Sequence, residues 1–108
     1  MRKDLEACSI VVQSSHAAIE IARSHVPLDL EHPHLVVISI DNEQKLQKCL
    51  DRIESEGIIC KPFYESDLGD QLTAFATEPI PDNQKAIFRR YQLLKASDFI
   101  KGGIHGLV

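Results

Sequence analysis

Three groups of residues in this sequence have types and spacings that suit chemistry. In the first, His16 follows Gln13 by three positions and precedes Glu20 by four. On a helix these three share one face. A neutral imidazole accepts a proton near pH 7 or orients a water, and a neighbouring carboxylate holds the ring or raises its basicity. The plainer alternative is a solvent-facing polar stripe with an i,i+4 pair. In the second, Glu65, Asp67 and Asp70 place three carboxylates within six residues. They repel one another unless a cation, a histidine or water offsets them. Such a cluster supplies a general base or binds a metal, but its spacing is too loose to name one, and a solvated acidic loop is the alternative. In the third, His32-Pro33-His34 resembles half of a zinc site, yet no Cys or His elsewhere has matching spacing. Its expected role is a proline kink leading into a strand.

Elements must position these groups. Residues 10–25 read as a helix, with Ile10, Ala17, Ile21 and Val11, Ala18, Ala22 recurring at spacings of three and four. Ser9 is its expected N-cap and Pro27 its stop. The β-branched run LVVISI at 35–40 reads as a strand buried on both faces. Asp41 then caps a second helix, with Gln44 completing a capping box. Leu46, Cys49, Leu50 and Ile53 form its inner stripe, and Gly57 ends it. Residues 58–63 are a second strand, with Pro62 marking an edge, 64–70 a polar loop, and 71–77 a third strand. Asp82 caps a last helix reaching about position 95, with Ile87, Tyr91 and Leu94 inside. The first two strands, joined through a helix, are expected to run parallel, and the last two antiparallel. The fold class expected is α/β, a small mixed β-sheet covered by helices on both faces (an α/β/α sandwich).

Composition sets the outer limits. A chain of 108 residues supplies one hydrophobic core, so a single domain over 1–108 is expected, with residues 95–108 as a mobile tail. No apolar run approaches a membrane span, and no secretory signal is visible, which makes the cytoplasm the expected location. Three cysteines without a C-x-x-C pair argue against a disulfide framework or zinc. The net charge of -4 is uneven: residues 85–108 alone sum to +4. Nucleic acid is therefore not expected to bind through bulk charge, although Lys85, Arg89, Arg90 and Lys95 form a local basic stretch that suits phosphates. No P-loop, dinucleotide fingerprint or G-x-S-x-G elbow is present.

The segment Gln13-Ser14-Ser15-His16-Ala17-Ala18 resembles the A-Q-C-S-H-A helix of type 2 peptidyl-tRNA hydrolases. Arg2-Lys3-Asp4-Leu5 looks like the R-x-D-L strand end that precedes it in that family. The stretch 65–74, ESDLGDQLTA, is similar to the acidic loop and strand that follow. The resemblance spans about residues 2–95 and implies cleavage of the ester between a peptide and the 3′ end of tRNA. It implies no metal or organic cofactor, and a homodimer. The family's lysine before this helix has no counterpart in 7–10, where Lys3 is the nearest, and Ser14 stands for the family cysteine. The sequence starts at the last residues of the family's first strand, so a partner chain or a different fold is expected at that edge.

Two functions are therefore expected. As an esterase, the chain would activate a water through His16, Glu65 or Asp67. Gln13, Ser15 and Thr73 would contact the substrate, and Arg89 and Arg90 its phosphates. As a non-catalytic module, the same fold would bind a small ligand or tRNA without turnover.

Overall fold

The computed structural model describes residues 1–30 and 35–99. The His32-Pro33-His34 segment and residues 100–108 lie outside the described residues. Helix α1 spans Ala7–His25 and helix α2 Glu43–Ser55. Strand β1 is Ile38–Ser39, β2 Cys60–Glu65, β3 Gln71–Thr77 and β4 Gln92–Leu93. Short 3-10 turns occupy Ser66–Leu68, Asp82–Phe88 and Ala96–Phe99. The chain is thus a mixed α/β structure with two small antiparallel ladders, β1 with β4 and β2 with β3.

The first three residues lie between the ladders. The Ile40 amide donates to the Met1 carbonyl at 2.8 Å, and the Lys3 amide returns a 2.8 Å bond to Ile40. The Arg2 amide donates to the Thr73 carbonyl of β3 at 3.1 Å. The buried Arg2 guanidinium binds both oxygens of Asp4, at 2.9 and 2.8 Å, and donates to Gln71 at 2.7 Å. A fork-shaped cation meets a carboxylate and a side-chain amide at once, which fixes this segment against β3. Arg2 and Asp4, read in the sequence only as a strand end, form this clamp.

Two apolar clusters flank β3. Leu46, Cys49, Leu50 and Ile53 of α2 pack with Ile40, Ile58, Cys60 and Leu72. Ile10 and Ala17 of α1 pack with Met1, Leu5 and Ala74. The small Ala17 and Ala74, 1% and 0% exposed, let α1 lie close on β3. Burying side chains this completely is the main favourable term holding α1 and α2 on the strands.

Several expectations are corrected. Helix α1 begins at Ala7 after Glu6, with no side-chain cap from Ser9. Its inner stripe is Ile10, Gln13, Ala17 and Ile21, while Val11 faces outward at 55% exposure. Asn42, not Asp41, caps α2, its side chain accepting from the Lys45 amide at 3.0 Å. Asp41 instead pairs with Lys3 and Lys45. Gly57, at φ +83, does end α2, in the left-handed region that favours glycine. The run at 35–40 is not a strand buried on both faces: Ile38 and Ser39 pair with β4, Ile40 bridges to Arg2, and Leu35 and Val36 are exposed. Beyond the ladder, the Leu94 amide donates to the Val37 carbonyl at 2.9 Å, and Leu35 and Val36 enter no pairing among the described residues. The expected parallel pair of the first two strands, 35–40 with 58–63, does not form, and the parallel bridge present joins Arg2 and Ile40. The last helix is also replaced. After the turn at Asp82–Phe88 the chain extends into β4 and pairs with β1. Backbone groups of β1 needed partners, and that tertiary demand outweighed a helical spacing of apolar side chains. Ile87 and Tyr91 still pack against the α2 cluster, and Leu94 against the α1 cluster. At Ala96–Phe99, Asp98 is buried and accepts from the Lys95 amide at 3.0 Å. Among the described residues no helix is long and apolar enough to cross a membrane.

Candidate active site

The site is built where α1 crosses the bulged middle of β3. Phe63 pairs with Ala74, yet the next residue, Tyr64, pairs with Leu72. Thr73 is therefore an extra residue in β3. A bulge re-aims the side chain it inserts, and here the Thr73 hydroxyl turns toward α1. It shares its hydrogen between Gln13 Oε1 at 3.0 Å and the Phe63 carbonyl at 3.3 Å.

Gln13 sits in the buried stripe of α1, only 5% exposed. Its oxygen accepts from Thr73, so its nitrogen faces the other way and donates to Glu65 Oε2 at 2.7 Å. A buried amide satisfied at both ends is fixed in orientation. The other Glu65 oxygen accepts from the Asp67 amide at 3.2 Å. The turn that delivers this amide closes through Gly69, at φ +68, whose N–H returns to Ser66. Such a backbone angle strains other residues. The Gln13 amide and then the Asp67 N–H hold the Glu65 carboxyl below the usual range. Glu65 is thus an ionised, oriented carboxylate at neutral pH.

Glu65 opens onto a cavity of about 270 Å³ lined by Cys8, Ser9, Val12, Gln13, Glu65 and Asp67. His16 lies one turn further along α1, outside that lining. Its ring stacks on Phe63, with centroids 4.5 Å apart and planes 9° apart. Phe63 precedes Glu65 by two positions in β2, so both point to the α1 side of the strand.

The structure therefore brings Gln13, Thr73, Glu65 and Asp67 together, with His16 adjacent. Thr73 is fully enclosed and holds Gln13 rather than facing the cavity. Glu20 pairs with Arg23 at 3.8 Å and is not drawn to His16. Ser15 is outside the group, because its hydroxyl donates back to the Val11 carbonyl at 2.7 Å. Arg89 and Arg90 lie elsewhere. The Arg90 guanidinium sits over the Tyr91 ring and lines a different cavity, shared with Lys3. Lys3 consequently does not fill the place of a lysine beside Gln13. No protein-family model matches the chain, and no curated protein matches it.

Cys8, Ser9, Val12 and Phe63 were not expected at the site. Cys8, Ser9 and Val12 had a legible signal, since Cys8 and Ser9 lie about one turn before Gln13 on the same helix and Val12 directly precedes it. Phe63 had none, because its role depends on the β2–β3 register. Among the described residues, no three His, Cys, Asp or Glu side chains are grouped so as to hold a metal ion.

Proposed function

We propose that this chain is an esterase of the peptidyl-tRNA hydrolase kind, cleaving the ester between a peptide and the 3′ end of tRNA. The observation that carries this reading is the Thr73–Gln13–Glu65 chain of hydrogen bonds, which ends in an ionised carboxylate at an open cavity beside His16.

Glu65 orients the attacking water. His16 takes the proton, directly or through a second water, as the oxygen bonds to the ester carbon. The nearby carboxylate stabilises the imidazolium that forms. One N–H of the Gln13 amide is committed to Glu65, and the second is available to the carbonyl oxygen as its charge grows. The tetrahedral intermediate then collapses, the C–O bond to the ribose breaks, and the imidazolium returns the proton to the departing 3′ oxygen. Asp67 lines the same cavity and favours a cationic or polar group on the acyl side. Thr73 and Phe63 act as positioning residues, for Gln13 and His16 respectively.

The same reading takes the strands and residues 1–3 as one mixed sheet in an α/β/α sandwich. It is supported by Leu72 and Phe75 packing in the α2 cluster while Ala74 and Ala76 pack in the α1 cluster. It also carries tRNA as the substrate, a cytoplasmic location, no cofactor and a homodimer. For the dimer, Leu35, Val36 and Leu93 supply exposed apolar surface next to the β1–β4 ladder.

The experiment is release of tRNA from a peptidyl-tRNA by the purified protein. Catalytic turnover is expected in the wild type. No turnover, or unchanged turnover in both His16→Ala and a Glu65→Ala/Asp67→Ala double variant, overturns the reading.

A further inference from the structure

A cavity larger than the one beside Glu65 lies apart from it. It measures about 410 Å³ and lies where α2, β1 and the approach to β4 meet. Lys3, Lys45, Lys48, Arg52 and Arg90 line it, against Asp41 as the one carboxylate in the lining. In a protein of net charge -4, this wall sets five cations against one lining carboxylate, and Lys3 also reaches the buried Asp98 at 4.0 Å. The spacing of Lys45, Lys48 and Arg52 puts three of the cations on one face of α2. A low-dielectric wall lined with one sign of charge concentrates counter-ions of the other.

The cations are not all consumed internally. Asp41 accepts from Lys3 and Lys45, at 3.1 and 2.9 Å. Arg52 is braced by the Ile87 carbonyl at 2.8 Å and the Tyr91 hydroxyl at 3.2 Å. Lys48 makes no ion pair among the described residues, and Arg90 has only the face of Tyr91, at 5.9 Å.

A second observation points the same way. Ser39, 5% exposed, also lines this cavity, and its hydroxyl is a buried polar side-chain atom with no hydrogen-bond partner among the described residues. An unsatisfied buried hydroxyl is costly. The hydroxyl is closed to water as the side chains stand, and a ligand oxygen in the cavity gives it a partner once the neighbouring lining side chains shift.

We propose that this cavity binds a small molecule bearing a diphosphate group. With Lys3 and Lys45 drawn to Asp41 and Lys3 also to Asp98, the charges of Lys48, Arg52 and Arg90 stay without a carboxylate partner among the described residues, and a diphosphate offsets most of them and accepts several charge-assisted hydrogen bonds. The volume exceeds what the diphosphate fills and falls in the range of small-molecule sites. The site shares no lining residue with the cavity beside Glu65 and does not rest on the esterase reading.

The test is calorimetric titration of the whole chain with inorganic pyrophosphate, with ADP and with a short single-stranded RNA. Saturable one-to-one binding of pyrophosphate and ADP is expected. Lys48→Ala/Arg90→Ala, two exposed positions, weakens both by at least about tenfold. Ser39→Ala weakens them less, and Glu65→Gln leaves them unchanged. No saturable binding at millimolar pyrophosphate or ADP overturns the proposal. So does unchanged affinity in the double variant, or binding of the RNA alone.

Discussion

Gln13 on α1 and Glu65 at the end of β2 are 52 positions apart in the chain and 2.7 Å apart in space. The amide that joins them is itself held by Thr73, the residue inserted by the β3 bulge. A helix, a strand end and a strand irregularity therefore converge on one carboxylate, and the orientation of that carboxylate is inherited from the backbone. This arrangement gives the kinetic prediction its form. Glu65→Gln keeps the shape and removes the charge. Peptide release from peptidyl-tRNA is expected to fall by about 100-fold or more in kcat, the scale of a lost acid–base or electrostatic group. Thr73→Val frees the Gln13 amide without touching the cavity. It is expected to lower kcat less and to leave KM nearly unchanged, because it acts through Gln13. Steady-state kinetics on both variants checks the ranking.

The Glu65 carboxyl also links stability to pH. It is held below the usual carboxylate range by the Gln13 amide and then by the Asp67 N–H. In the unfolded chain it titrates near the ordinary value of about 4.3. The folded state therefore binds fewer protons than the unfolded state between those two values. The stability contributed is fully present above the unfolded value and is lost as pH falls through the folded one. Urea midpoints of wild type and Glu65→Gln are expected to differ most near neutral pH and to converge in acid. Asp41 and Asp82, lowered by their lysine partners, remain in both proteins and cancel from the comparison.

How much of this was readable in advance follows from which forces act locally. The α2 stripe of Leu46, Cys49, Leu50 and Ile53 was legible because a strong helical period and a glycine stop are local properties. Strand β3 was legible because it is a short β-branched and aromatic run bounded by turn residues. Gln13 was visible as a polar position beside His16, but its burial was not, since a buried amide is tolerated only when Thr73 and Glu65 satisfy it. The bulge at Thr73 and the pairing of β4 with β1 depend on partners distant in sequence, so no local pattern announced them. The basic wall was half legible: Lys45, Lys48 and Arg52 share a helix face by spacing alone, whereas Ser39 and Arg90 reach it only through the β1–β4 ladder.

The cysteines give a chemical test of the site's openness. Cys8 is exposed and lines the cavity beside Glu65, while Cys49 and Cys60 are buried. Burial, followed by nearby Glu54, pushes the Cys60 thiol up to about 12, and burial also raises Cys49. Since the thiolate is the reactive species, these two are inert in the folded protein. Iodoacetamide at mildly alkaline pH is expected to add one label, at Cys8, and three labels after denaturation, as read by mass spectrometry. The single native label is expected to slow peptide release by obstructing the cavity, and Cys8→Ser is expected to abolish that inhibition. Native labelling at Cys60 contradicts the packing described for β2.

The orientation of α1 is tested by two neighbouring positions. The sequence period admitted both Ile10 and Val11 to the inner face. The structure buries Ile10 completely and leaves Val11 at 55% exposure. Truncating a fully buried isoleucine loses its transfer free energy and leaves a cavity that the packing around Ala17 and Ala74 only partly refills. Ile10→Ala is therefore expected to cost about 2–5 kcal/mol in denaturant unfolding. Val11→Ala removes outward-facing methyl groups and is expected to change stability by no more than about 0.5 kcal/mol. Equal costs at the two positions mean that α1 is rotated from the orientation described here. Gln13 then no longer faces Glu65, and the candidate active site loses its central hydrogen bond.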